Sequence, residues 1–334
     1  MMKAARISRY GDADVIRIDD VPVPDPKGTE VRIRVAATSV NPVDCKLRSG
    51  THRAVVRWKL PHTLGLDVSG VVDAVGPRAK SFRVGDRVFS SPSHSHEGTS
   101  AEFVCVPEGE VALAPTSISL ADAAALPLVA LTAWACLVDT AKLASGEKLL
   151  VMNGSGGVGS VAVQMGRAFG ADVSTTCSSR SAELLRSLGA AHTVDYRSQK
   201  AADVLAPQDV VLVGIGGAGI DEAHAASRKG ARIAAIVGDM PEYVERYGPV
   251  FGAMAAGLGM LRHRMRGVLR GRTVRHVVRA SDGVALAKIA ALVDEGKLKP
   301  VIDSRFHLDR LADAHRHLEE GHAVGKVVVD VTSL

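Results

Sequence analysis

Cysteine is scarce in this chain and badly placed for cross-linking. The four, at 45, 105, 136 and 177, lie far apart and form no C-x-x-C pair, which argues against a disulfide framework or a structural zinc lobe. Long apolar runs are missing as well. The nearest to one, 251–261, is diluted by Gly, Ala and Met and falls short of the about 20 residues a membrane span needs. The chain starts Met-Met-Lys-Ala-Ala-Arg-Ile and enters an alternating strand pattern at once. Neither an apolar h-region nor a small-residue cleavage site precedes that pattern. No internal repeat and no low-complexity linker interrupts it. These absences lead us to expect a soluble, cytoplasmic protein without membrane insertion.

What is present is ordinary globular composition, 46% hydrophobic and 23% charged, in 334 residues. That length exceeds a typical single core, so two domains are expected. The net charge of +5 is mild and largely local, with 262–276 densely basic. Nucleic acid or an anionic membrane could use such a stretch. No aromatic residue interleaves for base stacking, so a solvated face that also attracts a phosphate-rich cofactor is the favoured reading.

Residues 1–120 read as all-β. Glu30-Val-Arg-Ile-Arg-Val-Ala36 alternates apolar and charged positions, and 68–75, 83–90 and 101–106 are further short strands between turn formers. Strands this short at this spacing suggest a barrel or sandwich. A polar loop, 90–100, carries His94 and His96, but no third metal ligand stands near them in sequence. From 121 to 295 helix and strand patterns alternate, which predicts a parallel, doubly wound sheet. The stretch 239–273, rich in Gly, Met and Arg, resists assignment. The tail, 296–334, ends in a helix 308–320 and a strand 325–331 and is expected to return to the first domain.

The chemistry begins at Lys148-Leu-Leu-Val-Met-Asn-Gly-Ser-Gly-Gly-Val-Gly-Ser160. A short buried strand feeds a G-x-G-x-x-G turn and then a helical run, with a second strand at 172–177. In that context Gly154 supplies the turn, Gly156 lets backbone approach a pyrophosphate, and Gly159 lets the helix pack closely. The amides of Gly154, Ser155, Gly156, Gly157, Val158 and Gly159 then face the phosphates, aided by the helix dipole. An acid at the end of the second strand would hold the ribose 2′-hydroxyl of NAD. Here the strand ends Cys177-Ser-Ser-Arg180, with no carboxylate before Glu183. The hydroxyls of Ser178 and Ser179 and the Arg180 guanidinium suit a 2′-phosphate instead, so NADP(H) is the expected cofactor. The same segment can also cap the next helix.

Further motifs are Ser39-Val-Asn-Pro-Val-Asp-Cys-Lys46, Leu64-Gly-Leu-Asp-Val-Ser-Gly-Val-Val72, Val84-Gly-Asp-Arg-Val88, 123–133, 155–159, 187–190 with Asp195-Tyr196, and Gly325-Lys-Val-Val328. On these the chain resembles the zinc-independent quinone oxidoreductases and enone reductases of the medium-chain dehydrogenase/reductase superfamily. It implies an α/β protein in which a GroES-like β-barrel catalytic domain, 1–120 and 296–334, accompanies a Rossmann NADP-binding domain, 121–295, with the active site in the cleft between them. It implies cofactor contacts from Thr132, Tyr196 and Lys326, and a homodimer paired through the strand 274–278. It also implies no metal. Where zinc-dependent relatives carry Cys and Gly-His-Glu, this chain has Asn41 and Gly65-Leu66-Asp67; leucine cannot ligate a metal and asparagine is a poor zinc ligand.

Without a Lewis acid an ordinary ketone is hard to polarise. Activated acceptors remain, quinones or α,β-unsaturated carbonyls, whose developing charge hydrogen-bond donors can stabilise. Asn41 and Lys46 are the candidate catalytic donors. Asn41 before Pro42 could equally set a turn, and Lys46 could be a plain surface lysine. Many quinone oxidoreductases carry a tyrosine where Lys46 stands, and the Asn-Pro-Val-Asp-x-Lys form is nearer the enone reductases. Two other readings stay open: an enoyl reductase acting on a thioester-bound intermediate, and an NADPH-binding sensor or nucleic-acid binder without turnover.

Overall fold

The alternation that begins at Glu30 runs past Ala36 to make one strand, Glu30–Val40, and this strand organises the first half of the protein. Its first half buries Val31, Ile33 and Val35 and turns Arg32 and Arg34 outward; from Ala36 onward every residue is buried. The change follows from its neighbours. Phe103–Pro107 pairs with residues 30–34, Val68–Val75 with 31–37 and Lys326–Asp330 with 37–40, all antiparallel. Register shifts between Arg32 and Ile33 and between Val35 and Ala37 are bulges, which bend a strand and let the sheet curl.

The computed structural model describes residues 1–53, 56–216, 218–236 and 240–332. It divides into two units, 1–131 with 280–334, and 132–279. In the first, a seven-stranded sheet runs Ile302–His307, Lys326–Asp330, Glu30–Val40, Val68–Val75, Arg87–Ser90, Val111–Leu113, with Phe103–Pro107 also on Glu30–Val40. Its valine-rich core includes Val31, Ile33, Val68, Val72 and Val104. A second sheet joins Ile16–Val21, Met2–Ile7 and His62–Thr63. The tail returns to this unit as expected: Leu311 and Ala314 of the helix Leu311–Glu319 pack with Ile7, Leu64 and Val327.

The sequence pattern puts the two divisions near 120 and 295, whereas contacts put them at 131 and 280. Two attachments account for the difference. The Leu128 amide, in the helix Pro127–Trp134, donates to Asp67 of the first unit. The helix Gly283–Asp294 lies against the strand Val111–Leu113, so close that a Cβ on Gly283 would stand 2.4 Å from the Val111 carbonyl oxygen. Its last residue, Asp294, accepts the amides of Thr116 and Ser117, each at 2.8 Å.

The second unit is the doubly wound sheet. Six strands, all parallel, run in the order His192–Asp195, Asp172–Cys177, Lys148–Val151, Gln208–Val213, Ser227–Ala235, Thr273–His276. The order reverses between Lys148–Val151 and Gln208–Val213, and ligands of such sheets bind beyond the strand ends at that reversal. Val213, at the end of Gln208–Val213, is buried with Leu150, Val211 and Ile233, so it serves packing. The unassigned stretch forms a helix, Met240–Leu269, broken by non-helical backbone at Gly248.

Asp282 caps the helix Gly283–Asp294, accepting the amides of Val284 and Ala285 at 2.8 and 3.0 Å. Replacing it by alanine strips two first-turn amides of their acceptor, so Asp282→Ala is expected to cost about 1 kcal/mol, read as a Tm lower by a few degrees in calorimetry.

Candidate functional site

The strand Lys148–Val151 leads into the glycine turn. The left-handed residue of that turn is Asn153, at φ 62°, a conformation asparagine tolerates better than most. Its amide donates to Thr176 Oγ1 at 3.0 Å. Gly154, expected to supply the turn, has another job: a Cβ there would stand 2.0 Å from Thr175 Oγ1. Gly159 lets the helix approach as expected, since its Cβ would meet the Asn153 carbonyl oxygen at 2.1 Å. The helix Gly157–Ala168 starts from Gly156 with no side-chain cap. Its first amides therefore have no intrahelical acceptor, and Ser155 to Val158 are half-exposed. The Gly154 and Gly156 amides, expected among the phosphate donors, instead donate to the carbonyls of Thr176 at 2.9 Å and Asn153 at 3.2 Å; the reachable amides left at the helix start, those of Ser155, Gly157 and Val158, fit a pyrophosphate.

The second-strand end fits the adenosine side. Beyond Asp172–Cys177, Ser178 is buried while Ser179 and Arg180 are exposed. The Tyr196 amide donates to the Cys177 carbonyl at 3.3 Å, which brings that exposed tyrosine beside Ser178–Arg180. The Arg197 guanidinium lies 5.7 Å from the Tyr196 ring centroid. Hydroxyls and guanidinium groups gathered there, with no carboxylate from 177 to 182, make a donor set suited to a dianionic phosphate. Thr132, the remaining expected contact of this unit, is buried in the helix Pro127–Trp134.

In the first unit the expected catalytic residues separate. Asn41 precedes the helix Pro42–Ser49 and is buried. Its side-chain amide donates to Asp67 at 2.8 Å and to Asp44 at 3.1 Å, and its carbonyl oxygen accepts from Lys326 Nζ at 2.5 Å. Both amide hydrogens are thus committed to carboxylates. Asn41 is held in a network and does not present donors outward. Lys46 lies two residues beyond Asp44, about 200° around the helix. It is half-buried and lines a shallow groove with Ser49, Leu318 and Glu319.

Lys326, expected as a cofactor contact, is instead buried within the first unit. Its ammonium donates to the carbonyl of Val40 at 3.1 Å and to Asn41, and stands 3.4 Å from Asp67. Burial lowers its pKa, and the nearby Asp67 and Asp44 carboxylates oppose that fall. Asp67 is completely buried. One of its oxygens accepts the Leu128 amide at 2.7 Å; the other accepts Ser39 Oγ at 2.7 Å along with Asn41 and Lys326. Asp44 accepts the Asn41 backbone amide at 2.8 Å, while its Oδ1 is buried with no partner. Burial first, and the Asp67 charge second, push the Asp44 carboxyl up to about 7.

Ser39, Asp44 and Asp67 carry this network, and residue-by-residue reading assigned none of them a role. Two signals were available. Asp44 stands at the third helical position after Asn-Pro, where a carboxylate reaches back to the cap. Asp67 is the sole charged residue within 64–72, and a charge set in an apolar stretch needs buried partners. His96, in the loop with His94, lies 3.6 Å from Glu110. Among the described residues no three His, Cys, Asp or Glu gather as a metal site.

Comparison with known proteins extends over nearly the whole chain. Residues 27–116 match the alcohol dehydrogenase GroES-like domain family, and 188–329 match a family described as zinc-binding dehydrogenase. The human mitochondrial NAD(P)H oxidoreductase RTN4IP1 is 34% identical over 355 residues, covering 99% of this chain and 89% of the relative. The chloroplastic NADPH-dependent alkenal/one oxidoreductase of Arabidopsis thaliana is 36% identical, covering 98% and 79%. Among solved structures, the quinone oxidoreductase of Coxiella burnetii superposes with a TM-score of 0.86 at 27% identity, covering 99% of each chain.

The buried network predicts a pH signature. A carboxyl raised from 3.8 to about 7 in the folded state contributes stability that is full below the unfolded pKa and lost as pH rises through the folded one. Asp44→Asn removes that loss. Its Tm relative to the unsubstituted protein is expected to climb between pH 4 and pH 7 and then level off, followed by thermal unfolding at each pH.

Proposed function

This chain belongs to the quinone oxidoreductase and enone reductase family of the medium-chain dehydrogenase/reductase superfamily, and on that premise we propose that it reduces α,β-unsaturated carbonyls or quinones with NADPH, without a catalytic metal. The observation that carries the metal-free part is the Asp67 network. The residues where a zinc enzyme would keep ligands are Asn41, Leu66 and Asp67. Leu66 has no donor atom, both Asn41 amide hydrogens are spent, and Asp67 is occupied by four donors, one of them an ammonium. A divalent cation would have to displace Lys326, whose charge repels it.

When bound, the cofactor supplies a hydride, which forms a C–H bond at the electrophilic carbon of the acceptor and leaves the electron pair on the conjugated oxygen. The chain binds the pyrophosphate with the amides of Ser155, Gly157 and Val158, those of Gly154 and Gly156 being spent on the Thr176 and Asn153 carbonyls, and the 2′-phosphate with Ser178, Ser179, Arg180 and Tyr196. Asn41 acts as a positioning residue, joining the helix Pro42–Ser49 to Asp67 and Lys326. Lys46 is the remaining candidate donor to the developing oxyanion. Thr132 stands as the nicotinamide-side contact.

An alkenal or enone is the favoured acceptor, because the Arabidopsis relative, at 36% identity, is named for that substrate class. A cytoplasmic homodimer, paired through Thr273–His276 at the edge of the parallel sheet, completes the reading. Four free cysteines suit a reducing compartment; the human and Arabidopsis relatives are named for mitochondria and chloroplasts. Among the described residues no helix is long and apolar enough to cross a membrane.

Purified protein is expected to oxidise NADPH, followed by absorbance, with short alkenals, enones and quinones. Elemental analysis should find far less than one zinc per chain, with activity unchanged by a chelator. Stoichiometric zinc, or no turnover with any acceptor, would sink the proposal. Arg180→Glu places a negative charge beside the 2′-phosphate. It should raise KM for NADPH by about tenfold or more, the effect of a little over 1 kcal/mol, while KM for NADH changes little.

A further inference from the structure

The helix Met240–Leu269 carries an apolar stripe on its outer side. Phe251, Met254, Leu258, Leu261, Met265 and Val268 follow one another at steps of three and four, and each is more than half exposed. That spacing puts six large side chains on one face of a helix. The opposite face is the one packed on the unit. Ala256 is buried there, and a Cβ on Gly267 would stand 2.7 Å from a Val274 methyl. The stripe therefore points away from the core it could have joined, and a continuous exposed apolar patch of this kind marks an interaction surface.

Its flanks are basic. At about 100° per residue, Arg262 and Arg264 fall on either side of the stripe, and both are exposed. Arg266, nearer the packed face, pairs with Asp221. From 246 to 281 the sequence holds eight arginines and no Asp or Glu. We propose that this helix lies flat on an anionic lipid bilayer, with the stripe among the acyl chains and the flanking guanidinium groups at the headgroups.

Charge complementarity selects this occupant. A second copy seated on the stripe about a twofold axis would set these arginines against their own counterparts, with no carboxylate in the segment to answer them. A nucleic acid would answer the arginines but leave the apolar side chains against phosphate, with no aromatic among them beyond Phe251 to stack. An anionic bilayer satisfies both halves of the pattern, as interfacial helices do. From Gly248 to Leu269 the helix is about 30 Å long, and it rests on the surface without crossing it. The docking stands whichever acceptor the enzyme reduces.

Vesicle flotation tests it with the full-length protein. Vesicles of phosphatidylcholine with about 30 mol% phosphatidylserine should carry the protein upward, and pure phosphatidylcholine vesicles should carry much less. Salt at about 0.5 M, which shortens screening to a few ångströms, should weaken the binding. Leu258→Glu with Met265→Glu, and separately Arg262→Glu with Arg264→Glu, should each weaken it about tenfold or more. These positions are exposed, so circular dichroism and Tm should be unchanged. The proposal falls if the unsubstituted protein ignores anionic vesicles, or if binding survives either pair of substitutions. Should the protein ignore vesicles while Leu258→Glu splits a dimer in sedimentation velocity, the stripe belongs to a second copy.

Discussion

The Asp67 carboxylate has no access to water, and four donors from three stretches of chain far apart in sequence converge on it. Ser39 comes from the end of the long strand, Asn41 from the start of the first helix, Leu128 from the later helix and Lys326 from the last strand. A carboxylate stripped of water costs several kcal/mol unless donors replace its hydration. Here three uncharged donors and one ammonium do so. The arrangement is therefore cooperative in the demanding sense: each stretch must be in place for the others to be tolerable, since a missing donor leaves a buried charge uncompensated.

Charge balance extends the constraint to Asp44. With one ammonium and two carboxyl groups in one buried cluster, ionising both acids leaves a net negative charge in the interior, and the second acid resists it. The unpartnered Asp44 oxygen is where that tension resides. The same closed arrangement bears on the chemistry proposed above. A Lewis-acid site needs ligand lone pairs free for the metal and a coordination position open for the substrate, whereas Asp67 spends both of its oxygens on internal donors and holds a fixed cation beside them. On that proposal the electrophile arrives already activated by conjugation.

The nucleotide-binding unit divides its labour differently. Its glycine turn works by backbone, so the side chains it lacks matter more than those it has. Asn153 takes the left-handed turn, and the glycines at 154 and 159 are dictated by the approach of Thr175 and of the Asn153 carbonyl. A neighbouring strand pair, in which the Tyr196 amide bonds to the Cys177 carbonyl, brings a tyrosine and two arginines to one strand end, and it is these that the proposal sets against the 2′-phosphate.

Much of this was legible in the amino-acid order. Alternation over 30–36, the strand–turn–helix at 148–168, the spacing of the βα units and the absence of an acid after Cys177 are local patterns, and local patterns suffice for elements of that kind. The helix Met240–Leu269 was not legible, because glycines dilute its periodicity and its large apolar residues face outward, the reverse of the usual rule. The first helix, Pro42–Ser49, and the strand Ile302–His307 left too little periodicity to be read. The partners of Asn41 and Lys326 were hidden for another reason. Sequence determined that these residues are polar and lie beside apolar strands; only the tertiary structure decided that an ammonium 259 positions away from Asp67 would be its counter-ion. Burial and hydrogen-bond satisfaction are properties of chain segments brought together in space, and no window of consecutive residues contains them.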